Sequence, residues 1–168
     1  MLKICIANLN KYNKGLLVNK WIKLPVTNEE LDNVLKEIDI NENDDGYFIF
    51  DYESDIDHLE VGAYDNIYNL NVIAATIENM DDSEREIYSA LLHDGYNSIE
   101  AIDKIDDCII YFGCYTMEAV AEKYVEDTGI LDQIPENLQY YFDYAAYGRD
   151  MEIEGHFIKT DSGYVQIL

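Results

Sequence analysis

The amino-acid sequence predicts an α+β fold made of three small modules in series, the outer two α+β and the middle one all-helical, with short antiparallel strands. Hydrophobic residues alternate with a period of two near both ends of the chain and recur at helical spacing in its middle. The 168 residues, 48% of them hydrophobic, suffice for one ordinary domain or a few very small ones. The charge also divides the chain, because residues 1–28 carry five lysines and no acid, whereas residues 29–154 are strongly acidic.

The first predicted module spans residues 1–61 and begins with two strands. Apolar residues alternate with other types from position 2 to position 6, which predicts a strand with one buried face. A Tyr-Asn-Lys-Gly turn at residues 12–15 leads into a second strand at residues 16–24, which Pro25 ends.

A helix and a third strand complete this module. Residues 27–30 (Thr-Asn-Glu-Glu) fit a capping box, which predicts the start of a helix at this point. The apolar face of that helix comprises Leu31, Val34, Leu35 and Ile38. An Asp-Gly pair at residues 45–46 predicts a turn, and residues 47–50 (Tyr-Phe-Ile-Phe) predict a strand after it.

The second predicted module, residues 62–103, is helical throughout. Its first helix has apolar residues at helical spacing, namely Ile67, Leu70, Ile73, Ala74 and Ile77. A second helix follows the Asp-Asp-Ser run at residues 81–83 and turns three apolar residues inward, Ile87, Ala90 and Leu91. Ser98 is the predicted cap of a short third helix that contains Ile99 and Ile102.

The third predicted module, residues 104–168, returns to α+β. Residues 108–112 form a β-rich run, and a helix begins at Thr116 and ends at Gly129. The apolar side of this helix comprises Met117, Val120, Ala121 and Tyr124. A short helical stretch rich in aromatic residues follows Pro135, and two short strands surround the Asp-Ser-Gly turn at residues 161–163.

Composition excludes several classes of protein. The chain has 35 acidic and 11 basic residues, a net charge of −24, so phosphates would be repelled and direct binding to nucleic acid is not expected. Bulk disorder is excluded by the hydrophobic content. The three cysteines form no CxxC pair and are interpreted as reduced thiols. No apolar run could span a bilayer, so we expect no membrane contact and a cytoplasmic location.

Two acidic runs partly match calcium-binding loops, and we expect neither to bind a metal. Asn41, Asn43, Asp45 and Gly46 fit four positions of an EF-hand loop, but Tyr52 stands where a bidentate Glu is required. A hairpin turn is the better interpretation of this run. In the second run, residues 51–57, acids alternate, but Ile56 occupies the position that needs glycine.

The motifs that carry common enzymatic chemistry are absent from the sequence. The three histidines, His58, His93 and His156, are scattered, and there is no phosphate-binding glycine loop and no nucleophile elbow. A Cys–His pair or a carboxylate pair could still meet in the folded chain. We expect no cofactor and no catalytic activity.

The acidic residues are numerous enough to imitate the charge of DNA. Residues 29–154 hold 34 acids and five basic residues, a net charge of −29. At one charge per ~1.7 Å of duplex, that charge corresponds to about 49 Å of DNA, close to the ~40 Å diameter of a globule of this length. Glu118, Glu122 and Glu126 follow one helix face despite their mutual repulsion. The sequence therefore predicts a negative field with a function of its own.

Two tracts resemble the ArdA antirestriction family. One is the tract at residues 128–150, which ends in YFDYAAYGRD, and the other is the opening IANLNKYNKGLLVNKWIKLP at residues 6–25. The resemblance implies an elongated DNA mimic, encoded on mobile genetic elements, that occupies the DNA-binding groove of type I restriction-modification enzymes. It also implies a homodimer formed through the C-terminal module.

The resemblance assigns residues to two further roles. By position, the predicted dimer contact lies near residues 108–115 and comprises Ile109, Ile110, Tyr111, Phe112 and Cys114. The antirestriction motif comprises Leu131, Pro135, Leu138, Tyr141, Asp143, Tyr144, Tyr147, Gly148, Arg149 and Asp150. Residues 108–117 carry no charge, and Tyr111 and Phe112 are the positions predicted to face outward.

The main hypothesis is a non-catalytic inhibitor that binds the methyltransferase core of a type I restriction-modification enzyme. We define the mimic carboxylates as the acids expected to meet the basic groove: Asp51, Glu53, Asp55, Asp57, Glu60, Asp65, Asp81, Asp82, Glu84, Glu86, Asp94, Glu100, Asp103, Asp106, Asp107, Glu118, Glu122, Glu126 and Asp127. Two alternatives stay open, an acidic adaptor or chaperone for basic DNA-binding proteins and a hydrolase with a carboxylate or Cys–His pair.

Overall fold

The computed structural model describes residues 1–40 and 46–168. Helices and two three-stranded antiparallel sheets make up the described chain, which confirms the predicted α+β class. Backbone contacts group the chain into two compact units, Met1–Arg85 and Glu86–Leu168. The division into three modules stays a prediction. The partial calcium-loop match at Asn41, Asn43 and Asp45, and the turn expected there, lie outside the described residues.

The first unit contains a sheet with the strand order β2-β1-β3. Its elements are β1 (Leu2–Asn8), α1 (Leu9–Asn13), β2 (Asn19–Leu24), α2 (Asn28–Glu37), β3 (Tyr47–Ser54) and α3 (Ile67–Asn79). Both α2 and α3 contact β2 and each other, and their apolar residues form the core of this unit with the central strand.

The strands of this unit differ from the sequence prediction in three ways. β1 is buried on both faces, because Cys5 and Ala7 are covered as completely as Ile4 and Ile6. The central position of β1 explains this burial, and a local alternation pattern does not reveal it. β2 begins three residues later than predicted, and the first two residues of the expected turn at 12–15 belong to the short helix α1, with Gly15 at φ +81°. β3 extends to Ser54.

The predicted capping box at the start of α2 is confirmed. The Thr27 side chain accepts a hydrogen bond from the Glu30 backbone N–H at 3.2 Å, and the Glu30 carboxylate accepts one from the Thr27 N–H at 2.8 Å. The hydrogen bonds from Thr27 lower the pKa of Glu30. Leu31, Val34 and Ile38 are buried as predicted, and Leu35 is half-buried.

The second unit contains a sheet with the strand order β4-β6-β5. The helix α4 (Asp82–His93) spans the boundary between the units. The remaining elements are α5 (Ser98–Lys104), β4 (Cys108–Phe112), α6 (Met117–Thr128), α7 (Glu136–Gln139), α8 (Tyr144–Glu154), β5 (His156–Lys159) and β6 (Gly163–Ile167). Short 3₁₀ helices lie at Ile105–Asp107 and Ile130–Gln133.

The helices of residues 62–103 follow the sequence prediction with one correction. The apolar residues predicted to be buried in α3 and α4 are buried. However, α5 is capped by Asn97, not Ser98, because the Asn97 side chain accepts hydrogen bonds from the backbone N–H groups of Ile99 and Glu100. Ile99 is exposed, and Ala101 is the buried residue of this helix.

The helix α6 begins and ends where the sequence predicts. Thr116 caps its N-terminus, and Gly129 ends it in the left-handed conformation, at φ +63°. Residues after Pro135 form the short helix α7 and the longer helix α8, so this stretch is more helical than expected.

Candidate functional site

The mimic carboxylates lie at the protein surface. All of them are exposed except Glu84 and Glu86, which are half-buried. Every other Asp and Glu among residues 1–40 and 46–168 is exposed as well. A surface with so many exposed acids can attract basic partners and repel other anions.

In the first unit, β3 and the loop after it present several of these acids. Glu53 forms an ion pair with Lys3 at 2.9 Å, from Oε2 to Nζ. Asp55 pairs with the N-terminal ammonium group, and the hydrogen bond from that group lowers the pKa of Asp55. Both pairs are exposed, so each contributes little to folding stability.

Several of the mimic carboxylates also hold local structure. Asp81 and Glu84 accept hydrogen bonds from each other's backbone N–H groups, at 2.9 Å and 2.8 Å, and so cap the start of α4. Glu100 completes the capping box of α5, and Glu86 accepts a hydrogen bond from the Ser162 hydroxyl. These acids therefore have a structural explanation beside the functional one.

The acids of α6 form an exposed row, which we call the α6 stripe: Glu118, Glu122 and Glu126. Successive members lie about 6 Å apart along the helix axis. Lys123 approaches only the C-terminal end, with Nζ 2.8 Å from Asp127 and 3.8 Å from Glu126. The hydrogen bond to Asp127 raises the pKa of Lys123. Within the described chain, no cation lies within 4 Å of the other two stripe carboxylates.

Several residues of the predicted antirestriction motif hold α8 against α6. A Cβ atom added at Gly148 would lie 2.2 Å from the backbone oxygen of Met117, so the two helices meet at closest approach there. The Tyr147 ring on α8 lies 6.3 Å from that of Tyr124 on α6, and Asp143 caps α8 through the backbone N–H of Ala146. This part of the motif has a packing role.

Other residues of the motif are at the surface. Tyr141 is 80% exposed, and Leu138 is 51% exposed. Pro135, Arg149 and Asp150 are exposed as well, whereas Leu131 and Tyr144 are half-buried. The motif therefore combines a packed framework with an exposed apolar segment.

The predicted dimer residues are divided between the core and the surface. β4 is an edge strand, on which Ile109 and Phe112 are exposed and Ile110 is half-buried. Cys114 is buried in the core of the second unit, and burial raises the pKa of its thiol. The expectation that Tyr111 faces outward is wrong.

Tyr111 faces inward because its ring belongs to the apolar cluster of the second unit, beside Met117, Val120 and Tyr164. Its hydroxyl donates a hydrogen bond to the Gln166 side chain at 2.9 Å. Burial raises the pKa of Tyr111 to about 12.

The sequence analysis did not single out the exposed aromatic residues of the first unit. Tyr12, Trp21 and Phe50 are each almost half exposed. Their location in the sequence could have indicated them, because Tyr12 and Trp21 fall within residues 1–28, which carry five lysines and no acid.

The described residues contain no cluster of three or more His, Cys, Asp or Glu side chains suited to a metal ion. Of the helices in this part of the chain, none is long and apolar enough to cross a membrane.

A comparison with protein families finds one match that covers nearly the whole chain. The family model described as antirestriction protein (ArdA) matches residues 4–166. No curated protein matches the sequence.

Proposed function

The chain belongs to the ArdA antirestriction family, and we propose that it inhibits type I restriction-modification enzymes by presenting carboxylates in place of DNA phosphates. One observation supports this mechanism above the others: every Asp and Glu in the described chain remains at the surface, and all but Glu84 and Glu86 are exposed. A DNA-binding groove lined with Lys and Arg would attract such a surface and bind it by charge-assisted hydrogen bonds.

The amount of charge fits a defined length of duplex. At two charges per base pair, the net charge of −24 corresponds to about 12 base pairs. The field of the protein would steer it toward the groove, and salt would weaken both the association rate and the affinity. Because carboxylates imitate the backbone and not the base edges, enzymes with different recognition sequences should be inhibited alike.

The α6 stripe is the clearest local support for the mechanism. Like charges at a spacing of four residues destabilise a helix by about 0.2–0.5 kcal/mol per pair. Lys123 relieves this repulsion only at one end, at Glu126 and Asp127. The helix dipole favours Glu118 in the first turn, so Glu122 is the stripe acid with neither form of compensation. A row of acids that is only partly compensated is expected where the negative field itself is useful.

A displacement assay tests the proposal. Labelled duplex bound to a type I methyltransferase core should be released by the wild-type protein at low salt. The triple variant Glu118→Gln, Glu122→Gln, Glu126→Gln should bind on the order of tenfold more weakly, because exposed charge pairs contribute about 0.2–1 kcal/mol each. Failure of the wild-type protein to release the duplex would overturn the mechanism.

A matched variant separates position from total charge. Glu136→Gln, Glu152→Gln, Asp161→Asn removes the same number of charges from exposed sites outside the mimic carboxylates. If this variant lost as much affinity as the triple variant of α6, the stripe would have no special role. Titration with an unrelated basic protein distinguishes the mimic from an acidic adaptor, which would bind it equally well.

The same mechanism favours a homodimer joined at β4. Residues 108–117 carry no charge, and the exposed side chains of Ile109 and Phe112 lie on an edge strand whose backbone can pair with another strand. Two protomers would present twice the charge, equivalent to about 24 base pairs. Two-fold symmetry would match a duplex held between paired subunits.

A further inference from the structure

Arg85 is the exception in the most acidic part of the chain. It is the only Lys or Arg among residues 37–103, which hold 19 acids. Several lysines elsewhere form exposed ion pairs, as Lys3 does with Glu53. Arg85 is half-buried instead, and none of the ion pairs in the described chain includes it. Its guanidinium group has partners of another kind.

The guanidinium group of Arg85, on α4, donates hydrogen bonds to the end of α3. Its Nη2 lies 2.6 Å from the backbone oxygen of Ile77, and its Nε lies 3.2 Å from that of Met80. The last carbonyl groups of a helix lack partners within the helix and carry partial negative charge, so a cation stabilises them. The last turn of α3 has no basic residue of its own. Arg85 therefore joins the start of α4 to the end of α3.

The connection between these helices, which we call the α3–α4 corner, is rich in acids. Only Met80 and Asp81 separate α3 from α4. Residues 78–84 include four acids, and repulsion among them favours an open corner. The reciprocal hydrogen bonds of Asp81 and Glu84 fix the start of α4 alone, whereas those of Arg85 cross to α3. We call the three mimic carboxylates at this place the corner acids: Asp81, Asp82 and Glu84.

We propose that Arg85 is a positioning residue, which holds the corner acids at fixed places for the Lys and Arg side chains of the DNA-binding groove. This inference rests on the proposed function. The phosphates of a duplex lie at fixed places, and the charge-assisted hydrogen bonds that they accept have defined geometry. Acids on a mobile corner would keep their charge but would have to be ordered on binding, which costs affinity.

The charge of Arg85 opposes a mechanism that depends on total charge alone. It reduces the net negative charge by one, and its field reaches another mimic carboxylate, Asp55. The hydrogen bond from the N-terminal ammonium group is the main cause of the lowered pKa of Asp55, and the charge of Arg85 adds to it. An uncharged residue such as glycine can end a helix without this effect. A charged cap among acids is expected where their places matter as well as their number.

Neutralisation of Arg85 gives a test in which total charge and placement predict opposite results. Arg85→Gln makes the full-length protein more negative, so a mimic that binds by total charge should bind the methyltransferase core as tightly as before or more tightly. Placement predicts about fivefold weaker binding, because the corner acids must then be ordered on binding. Lys36→Gln is the matched control, since Lys36 is exposed on α2 and its loss changes the net charge equally. It should not weaken binding.

A double-mutant cycle distinguishes placement from a general loss of stability. Asp82→Asn should weaken binding by the wild-type protein about threefold, and it should have little further effect in the Arg85→Gln background. Asp51→Asn, at an exposed mimic carboxylate on β3, should have the same effect in both backgrounds. An effect of Asp82→Asn that is equal in the two backgrounds would overturn the positioning role. Circular dichroism establishes that each variant is folded.

Amide hydrogen exchange measures the order of the α3–α4 corner without the enzyme. Exchange at residues 80–85 should be faster in Arg85→Gln than in the wild-type protein. Arg85→Lys keeps the charge but lacks the planar fork of donors, so its exchange should lie between the two. This variant also tests binding if Arg85→Gln does not fold, because total charge predicts no change in its affinity and placement predicts a loss.

The outcomes separate this inference from the proposed function. If the wild-type protein displaces DNA and Arg85→Gln binds as tightly as Lys36→Gln, the positioning role is overturned and the mimicry stands. Unchanged exchange at the corner in Arg85→Gln overturns the positioning role whether or not the enzyme is bound. If the wild-type protein displaces no DNA, the mimicry fails, and the role of Arg85 toward the groove fails with it.

Discussion

Buried asparagines show how single side chains hold the first unit together. Asn8 donates hydrogen bonds from Nδ2 to the backbone oxygens of Ile38 and Asp39, at 3.0 Å and 3.1 Å, and its Oδ1 accepts one from the Lys11 N–H at 2.9 Å. One side chain thus caps the start of α1 and satisfies carbonyls at the end of α2. Asn71 pairs with both the N–H and the C=O of Val26, each at 2.8 Å. Each amide satisfies backbone groups that would otherwise lose hydrogen bonds on burial.

At the same scale, Gly148 decides how closely α8 approaches α6. An added Cβ would lie 2.2 Å from the Met117 carbonyl oxygen, and backbone cannot move aside as a flexible side chain can. We expect Gly148→Ala to lower the free energy of unfolding by about 2–4 kcal/mol, because the helices must separate to relieve the overlap. Urea denaturation measures this as a lower midpoint.

The control for this prediction is Arg149→Ala, at the exposed neighbouring position. It should shift the unfolding free energy by no more than about 0.5 kcal/mol. An unchanged midpoint for Gly148→Ala would show that the motif glycine is not required for packing, and its role would then lie at the surface.

At the scale of elements, the proposed homodimer depends on the edge strand β4. Phe112 is 51% exposed, so an aspartate there can be solvated in a monomer but would be buried without a partner in a dimer. We expect Phe112→Asp to yield a folded monomer at micromolar concentration by sedimentation velocity. Such a monomer should inhibit more weakly than the wild-type protein, but still detectably, because each protomer keeps its own carboxylates.

The comparison variant is Ile153→Asp, which places the same charge at a 75% exposed position on α8. It should remain dimeric. A wild-type protein that sediments as a monomer would contradict the predicted dimer and leave the carboxylate mechanism unaffected.

The elements also show which parts of the fold the sequence can predict. Helices such as α2 and α6 were predictable because their caps and their apolar spacing are local signals. The second buried face of β1 and the inward position of Tyr111 were not, because both depend on residues distant in the chain that cover them. The exposed acids of the candidate site follow from composition, whereas the structural roles of Glu84 and Glu100 required the cap geometry.

At the scale of the whole molecule, the net charge of −24 affects folding and binding in opposite ways. Repulsion among the acids destabilises the compact state, and the same acids provide the attraction to a basic groove. The ion pairs in the described chain are exposed and few, such as Lys3–Glu53 and Lys104–Asp107, so salt has little favourable pairing to screen. Screening should therefore relieve repulsion within the fold and weaken attraction to the partner.

We expect potassium chloride to stabilise the protein and to reduce its inhibition over the same concentration range. The screening length falls from about 30 Å at 0.01 M to about 8 Å at 0.15 M, so salt removes most of the repulsion between exposed acids that lie farther apart than this length. A gain of about 2 kcal/mol would raise the melting temperature by about 5 °C in a protein of this size. The affinity for the methyltransferase core should fall by at least tenfold over that range, as for other contacts that replace counterions.

The triple variant of the α6 stripe should show smaller changes in both measurements, because it carries fewer charges for salt to screen. A melting temperature that falls as salt is added would mean that favourable ion pairs outweigh repulsion among the acids. The acids would then serve mainly to stabilise the fold, and the proposal that they bind a basic partner would lose this support.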